Sequence, residues 1–378
     1  MGKGITVYAG IAGVLLGLLV TLAGCATGGE EAAAPATRPA DEVAAVETAS
    51  APEPQVSYEP APDEVESQVE PAPEPPAVAG SAEQAVALTL KYVPGQTTTY
   101  RVTTETERSI AWEGDTTNKP AAFRDGHTGQ RIEITFDQTV AQVSSAGNAS
   151  LEVTIKTLRF LGRARDKVVL DFDSSRAADQ QHPLANLIGQ RYRMEVTPRG
   201  AVLTLLDLDA ARQAAQGNVT ASRLLSDKAI EHRHEVPALM ALDTTAVEPG
   251  GQWNSIRAIS FGILGSKAYD RIYTLQAVEG SGSQQTAIVD MEAIPPVTGP
   301  GQTLPEQAAN PFAAMSDSTD SYTGLLKLDL STGQIERYIE QFRAEWVTAD
   351  PASIQSGQAH PAVLRMGMRE SYQLERVE

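Results

Sequence analysis

The chain has 378 residues, a net charge of −18 and a single cysteine, with an isoelectric point near 4.8. That balance has the wrong sign for neutralising phosphates and leaves no polybasic patch for lipid headgroups, which argues against a nucleic-acid partner. One cysteine rules out an internal disulfide and any zinc site built on paired cysteines.

The chain opens with Lys3, then runs from Ile5 to Ala23 without a charge, rich in Val, Leu, Gly and Ala. The small residues Ala23 and Gly24 sit just before Cys25. A charged start, an apolar stretch and a small-residue cleavage site make a secretory signal. Two other readings are an uncut membrane span, for which the run is just long enough, and myristoylation at Gly2. The glycines and Thr21 weaken the first, and the second leaves the apolar run unexplained.

Leu22-Ala23-Gly24-Cys25 resembles the lipobox of bacterial lipoproteins. The resemblance implies that Cys25 carries a diacylglycerol and, after cleavage, an acylated amine. Several acyl chains hold a protein at a membrane where one binds only reversibly. The expectation is an exported protein anchored by lipid on Cys25 to a bacterial membrane, in the outer membrane or cell envelope, with residues 1–24 removed.

Residues 25–84 change character. After Cys25 they hold 13 acids against one base, Arg38, so they carry about −12 of the chain's charge. Pro, Ala, Glu and Val dominate, with almost no large apolar side chain. Such a segment cannot bury enough surface to offset its ordering entropy, and its reach in polyproline II is up to about 180 Å. It is expected to be a disordered tether.

From Ala85 the period is two. The stretches 100–110, 131–143, 150–161 and 167–173 alternate apolar and polar residues, as half-buried strands do. Residues 191–208 read as two strands around Pro198-Arg199-Gly200. Later come 253–262, a hairpin over 270–294 turning at Gly280-Ser281-Gly282, a hairpin over 324–347 turning at Ser331-Thr332-Gly333, and a last strand over 362–377. Gly147 and Gly200 lie 53 residues apart, as do Gly280 and Gly333. This interval suggests a duplication, with a first β half at 85–206 and a second from 253 to 378. Between them, 207–252 turns helical: Ala221, Leu224, Leu225 and Ala229 share a face, with Thr220 as N-cap and Gly217 ending a shorter helix. Residues 295–320 read as a long loop.

Pro94-Gly95-Gln96 with Tyr100, Thr197-Pro198 with Gly200, and Val236-Pro237 followed by Pro249-Gly250-Gly251 and Trp253 resemble the punctuation of an uncharacterised family of exported bacterial lipoproteins. That family has no assigned activity, so the resemblance implies a fold and not a function.

No phosphate loop, nucleophile elbow, dinucleotide fingerprint or calcium loop occurs. Gly280-Ser281-Gly282-Ser283 sits in a hairpin turn. Asp171/Asp173 and Asp207/Asp209 are carboxylate pairs that lack the calcium-loop spacing and read as solvated ends and caps. His232 and His234 could begin a zinc site on a strand; on a helix they diverge, and His232 continues the apolar face. No metal and no cofactor are expected.

The expected fold is mainly β and antiparallel: two similar halves forming a curved sheet or half-barrel, or sitting side by side, with a small helical insert. A curved sheet under amphipathic helices makes a concave apolar pocket; half-barrel lipoprotein carriers use one for acyl chains, a fold-level analogy. The leading functional expectation is a non-catalytic domain binding a lipid or other apolar ligand, with Leu224 and Leu225 of the connector as its candidate lining. The alternative is an interaction module for a protein or cell-wall partner; an enzyme of unrecognised type is third.

Overall fold

The computed structural model describes residues 85–116, 119, 124–262, 265–282, 284–296, 317–350 and 361–377. Cys25, the signal and the tether lie outside them, as does most of the expected loop 295–320. Within these residues lies a single 12-stranded antiparallel sheet. Its first half holds β1 (Thr97–Glu113), β2 (Gly126–Val143), β3 (Ala149–Ala164), β4 (Lys167–Asp173), β5 (Arg191–Val196) and β6 (Val202–Leu206). Its second half holds β7 (Gln252–Ser260), β8 (Ser266–Ser281), β9 (Gln284–Ile294), β10 (Asp317–Asp329), β11 (Gln334–Ala349) and β12 (Val363–Val377). The first four residues of β10 fall where the sequence suggests loop.

The spatial order is β6-β5-β3-β2-β1-β12-β11-β10-β9-β8-β7, with β4 paired to β3. The two halves therefore form one sheet, and β12 is the seam between β11 and β1. Read from β7, the order is a meander of five strands, then β12, then a second meander of five. The Gly147 turn joins the second and third strands of one meander, and the Gly280 turn joins the second and third of the other.

The sheet is strongly curled. β7 and β11 are four steps apart in the order, about 19 Å on a flat sheet at the usual spacing. Yet the Arg257 guanidinium of β7 donates to Glu340 Oε2 of β11 at 2.8 Å and to Glu370 of β12 at 3.4 Å. A flat sheet would put these groups farther apart than the two side chains can reach. Phe261, just past β7, likewise packs on Trp346 of β11 with ring centroids 4.7 Å apart.

The period-2 pattern explains which face turns inward. On β11, Tyr338, Glu340, Phe342, Ala344, Trp346 and Thr348 are all buried, as are Leu364, Met366, Met368, Tyr372 and Leu374 on β12. These inward side chains form a continuous core with the connector.

The connector holds α1 (Asp209–Ala214), α2 (Val219–Leu224), α3 (Asp227–His234) and α4 (Pro237–Met240). Thr220 is not the N-cap: Asn218 caps α2 by accepting from the Ala221 amide at 2.8 Å. The single apolar stripe from Ala221 to Ala229 is also split between two helices. Ser226 ends the first run and caps α3, its hydroxyl accepting from Ala229 N. A cap side chain that satisfies an orphan amide decides a helix start more strongly than apolar spacing does.

Candidate functional site

One end of the sheet is closed by the segment before β1. Val86 exchanges backbone hydrogen bonds with Val247, Leu90 N donates to Pro198 O at 2.7 Å, and Lys91 N donates to Gly333 O at 3.2 Å. Consecutive amides thus tie the β5–β6 turn to the β10–β11 turn, although β5 and β11 are five steps apart in the sheet. Tyr92 adds a hydroxyl bond to Thr197 O at 3.4 Å, and Lys91 Nζ donates to Leu330 O at 2.6 Å. The backbone passes so near Gly333 that a Cβ there would lie 2.4 Å from Lys91 N, and Gly333 has a φ of +65°. Gly200 (φ +74°) abuts Val236 in the same way. The glycine- and proline-bearing segments singled out in the sequence therefore meet at this end, where they hold the sheet rolled.

Beneath this strap lies a cavity of about 50 Å³. Its apolar wall includes Tyr100, Phe136, Leu151, Met194, Ile335 and Leu374. Lys91 and Arg233 also line it, with Gln96, Gln138 and Gln334, and no lining residue is Asp or Glu. Such a volume holds a few water-sized groups; an acyl chain needs the strap to move aside.

The connector reaches the cavity through the last turn of α3. Arg233 is 5% exposed. Its guanidinium donates to the Tyr192 hydroxyl at 3.3 Å and to Leu224 O at 2.7 Å. With the Tyr192 oxygen accepting from Arg233, its proton goes to His234 Nε2, 2.7 Å away. This needs a neutral imidazole. Burial, and secondarily Arg233, hold the His234 pKa well below the usual histidine range. The ring also packs edge-on against Phe136, with centroids 4.7 Å apart.

Leu224 and Leu225 are buried in the core, at 8% and 1% exposure. They are not among the cavity's lining residues. Leu224 closes α2, which packs on the short 3-10 helix Pro183–Leu187. Only the Leu224 carbonyl touches the site, through Arg233. His232 and His234 point to different neighbours, Tyr372 and Tyr192 respectively. Burial above all, then Arg257, pushes the His232 pKa down to about 4. Three of these four carboxylates are ion-paired, Asp171 with Arg176, Asp173 with Arg159 and Asp207 with Arg193, and Asp209 stands in the first turn of α1. Gly280, Ser281 and Gly282 form the expected hairpin turn, with Gly280 and Gly282 at positive φ; Ser283 lies outside the described residues.

A second buried polar group lies in the other half. Glu340 (5% exposed) accepts from Arg271 Nη1 at 3.1 Å and from Arg257 at 2.8 Å, and from the hydroxyls of Tyr322 and Tyr338. Arg271 also donates to Ser255 Oγ at 3.1 Å. Burial would raise the Glu340 pKa, but Arg271 and Arg257 outweigh it and bring the value to about 2. Arg257 adds Glu370 as a second carboxylate. Two guanidiniums thus meet two carboxylates, and the cluster is balanced.

Both groups escaped the sequence reading, although one left a trace in it. Glu340 is in phase with Tyr338, Phe342, Ala344 and Trp346, and Arg271 with Tyr269 and Tyr273. A charge at a core position of a strand marks a buried polar network. Arg233 has no such signal, since its surroundings come from β5 and from α2.

The sequence matches no family model and no curated protein. Among solved structures, a lipovitellin described under "lipid-protein interactions" is similar with a TM-score of 0.37 at 9% identity. That match covers 76% of this chain, which spans about a quarter (26%) of the length of the lipovitellin chain. DynF, from the dynemicin biosynthesis pathway of Micromonospora chersina, is similar with a TM-score of 0.15 at 8% identity, covering 77% of this chain and 85% of that one. Likeness at these levels carries nothing about function.

Proposed function

We propose that this protein is an exported lipoprotein, anchored to the cell envelope through Cys25, whose β domain is a binding module for an apolar ligand and not an enzyme. The anchor rests on Cys25 ending the apolar run of residues 5–23. The ligand reading rests on one observation: the cavity under the strap, walled by Phe136, Leu151 and Met194 and closed by a segment held through few backbone bonds. An apolar wall with convergent polar groups is the usual form of a small-ligand site, and here Lys91, Arg233 and three glutamines face that wall. The imidazole beside it, His234, is neutral and committed to Tyr192, which suits positioning rather than proton transfer.

Native mass spectrometry of the full chain extracted from membranes tests the ligand. Wild type should carry a lipid-sized adduct, and Leu151→Trp, which fills the cavity, should lose it while keeping the fold. A wild-type chain that emerges bare defeats the reading. The anchor is tested separately: Cys25→Ser should abolish metabolic lipid labelling, and equal labelling of mutant and wild type overturns it.

A second reading, an interaction module, is favoured by exposed apolar side chains on two strands beside β3 and β5. These are Val168 and Val169 on β4, and Leu203 on β6, each more than half exposed. A double change, Val169→Lys with Leu203→Lys, should then abolish cross-linking to an envelope partner without touching lipid retention. Unchanged cross-linking removes it.

A further inference from the structure

We infer that the cavity takes the carboxylate head of a single-chain amphiphile, with Arg233 as its counter-ion. This rests on the apolar-ligand reading of the same cavity and adds the chemistry of the head. The decisive contrast lies in charge. The chain carries 48 acids against 30 bases, yet the cavity is lined by Arg233 and Lys91 and by no carboxylate.

Among the described residues, neither cation is paired with an acid. Arg233 bonds only the Tyr192 hydroxyl and the Leu224 carbonyl. The exposed Lys91 ammonium bonds only the Leu330 and Ser331 carbonyls. A guanidinium has five N–H donors, and these contacts use two of them. Carbonyl and hydroxyl oxygens supply partial charges, and the C-terminal end of a helix favours a cation modestly; neither is a formal counter-charge. Taking an ion out of water is unfavourable unless a partner compensates it. His234 adds nothing to the positive charge, being neutral. The buried positive charge is therefore that of Arg233, set against an apolar wall where an anion is attracted more than in water, while Lys91 is exposed on the strap at the rim.

The size and wall of the site narrow the class of ligand. A cavity of about 50 Å³ suits a group of a few heavy atoms, as a carboxylate is. Phe136, Leu151 and Met194 make the adjoining wall apolar, so the remainder of the ligand is a hydrocarbon chain. That chain has room once the strap around Leu90–Tyr92 swings out, which breaks the Leu90–Pro198 and Lys91–Gly333 bonds.

The test loads the full chain, in neutral detergent micelles, with equal amounts of palmitate, hexadecanol or hexadecylamine and counts adducts by native mass spectrometry. Wild type should retain palmitate about tenfold or more over the other two, the effect of one charge-assisted hydrogen bond. Arg233→Met should retain palmitate and hexadecanol alike, and Arg233→Lys should keep part of the preference. If Arg233→Met does not fold, the wild-type comparison still decides. Equal retention of palmitate and hexadecanol by wild type overturns the carboxylate head and leaves the apolar-ligand reading standing. Preference for hexadecylamine overturns it too. Retention of none of the three removes both.

Discussion

Two buried arginine sites sit on the inner face of one sheet and are treated in opposite ways. In the second half, Arg271 and Arg257 meet Glu340, and Arg257 also meets Glu370. In the connector, where it packs on the first half through Tyr192, Arg233 is as deeply buried as Glu340 and its guanidinium bonds no carboxylate. The balanced cluster also spans β7, β8, β10, β11 and β12, so it pins the curl of the sheet from inside. The unbalanced one lies against the cavity. A closed set of charges has nothing left to offer a ligand; an open one has. The lesson is that burial of a charge says little until its partners are counted.

The largest expected effect is on the balanced cluster. Glu340→Gln keeps an acceptor but removes the negative charge that Arg271 and Arg257 share, leaving Arg271 without a carboxylate, and breaking one charge out of a buried pair costs about 3–5 kcal/mol. Denaturant unfolding of the full chain should show that loss. If the variant is as stable as wild type, the cluster does not hold the sheet and the contrast between the sites fails.

Acid should act next. His232 has a folded pKa near 4, below the unfolded value of 6.5, so unfolding takes up a proton. Its contribution is complete above about pH 6.5 and is lost as pH falls to 4; a shift of that size is worth at most about 3 kcal/mol. His234 shifts in the same direction. Glu340, depressed from 4.5 to about 2, adds a second loss between those values. Melting temperature followed from pH 7 to 3 should fall in two stages, the first reduced in His232→Gln and lost when His234 is replaced as well. A first stage undiminished in His232→Gln assigns it elsewhere.

Gly333→Ala attacks the strap that walls the Arg233 side. The substitution forces a side chain into positive φ and onto Lys91 N, a cost on the order of 1–3 kcal/mol. Limited proteolysis should then cut near Lys91 faster than in wild type. Unchanged cleavage would mean that the strap is held by other contacts.

Arg233→Met should have the smallest effect on stability, within about 1 kcal/mol of zero, because losing two hydrogen bonds is offset by removing an uncompensated buried charge. A loss as large as that of Glu340→Gln would erase the distinction between the two sites.

Much of this was legible from residues alone. Residues 167–173 mark β4 to the residue, and the Gly280 and Gly333 turns fall where expected, because a period of two and a turn glycine are local properties. The mainly β, antiparallel class follows from them. The charge of the segment before residue 85 is read from the residues alone as well. The helix starts were misplaced for a local reason too: Asn218 and Ser226, as caps, override the apolar stripe that points to Thr220.

What only the tertiary structure decided is who meets whom across the sheet. Period two says that Glu340 faces inward; it does not say that Arg257, four strands away, will reach it. The joining of the halves through β12, and the meeting of Leu90–Lys91 with both the Pro198 and Gly333 turns, are long-range pairings of the same kind. An apolar helix face visible in sequence makes Leu224 and Leu225 candidate lining, and the structure buries both in the core. Arg233, in the next helix, reaches the cavity instead. The sequence thus determined the strands, the turns and the sign of the charge, since each depends on neighbours along the chain. The curl, the cavity and the missing counter-ion of Arg233 depend on neighbours across space, and only the folded sheet brings those together.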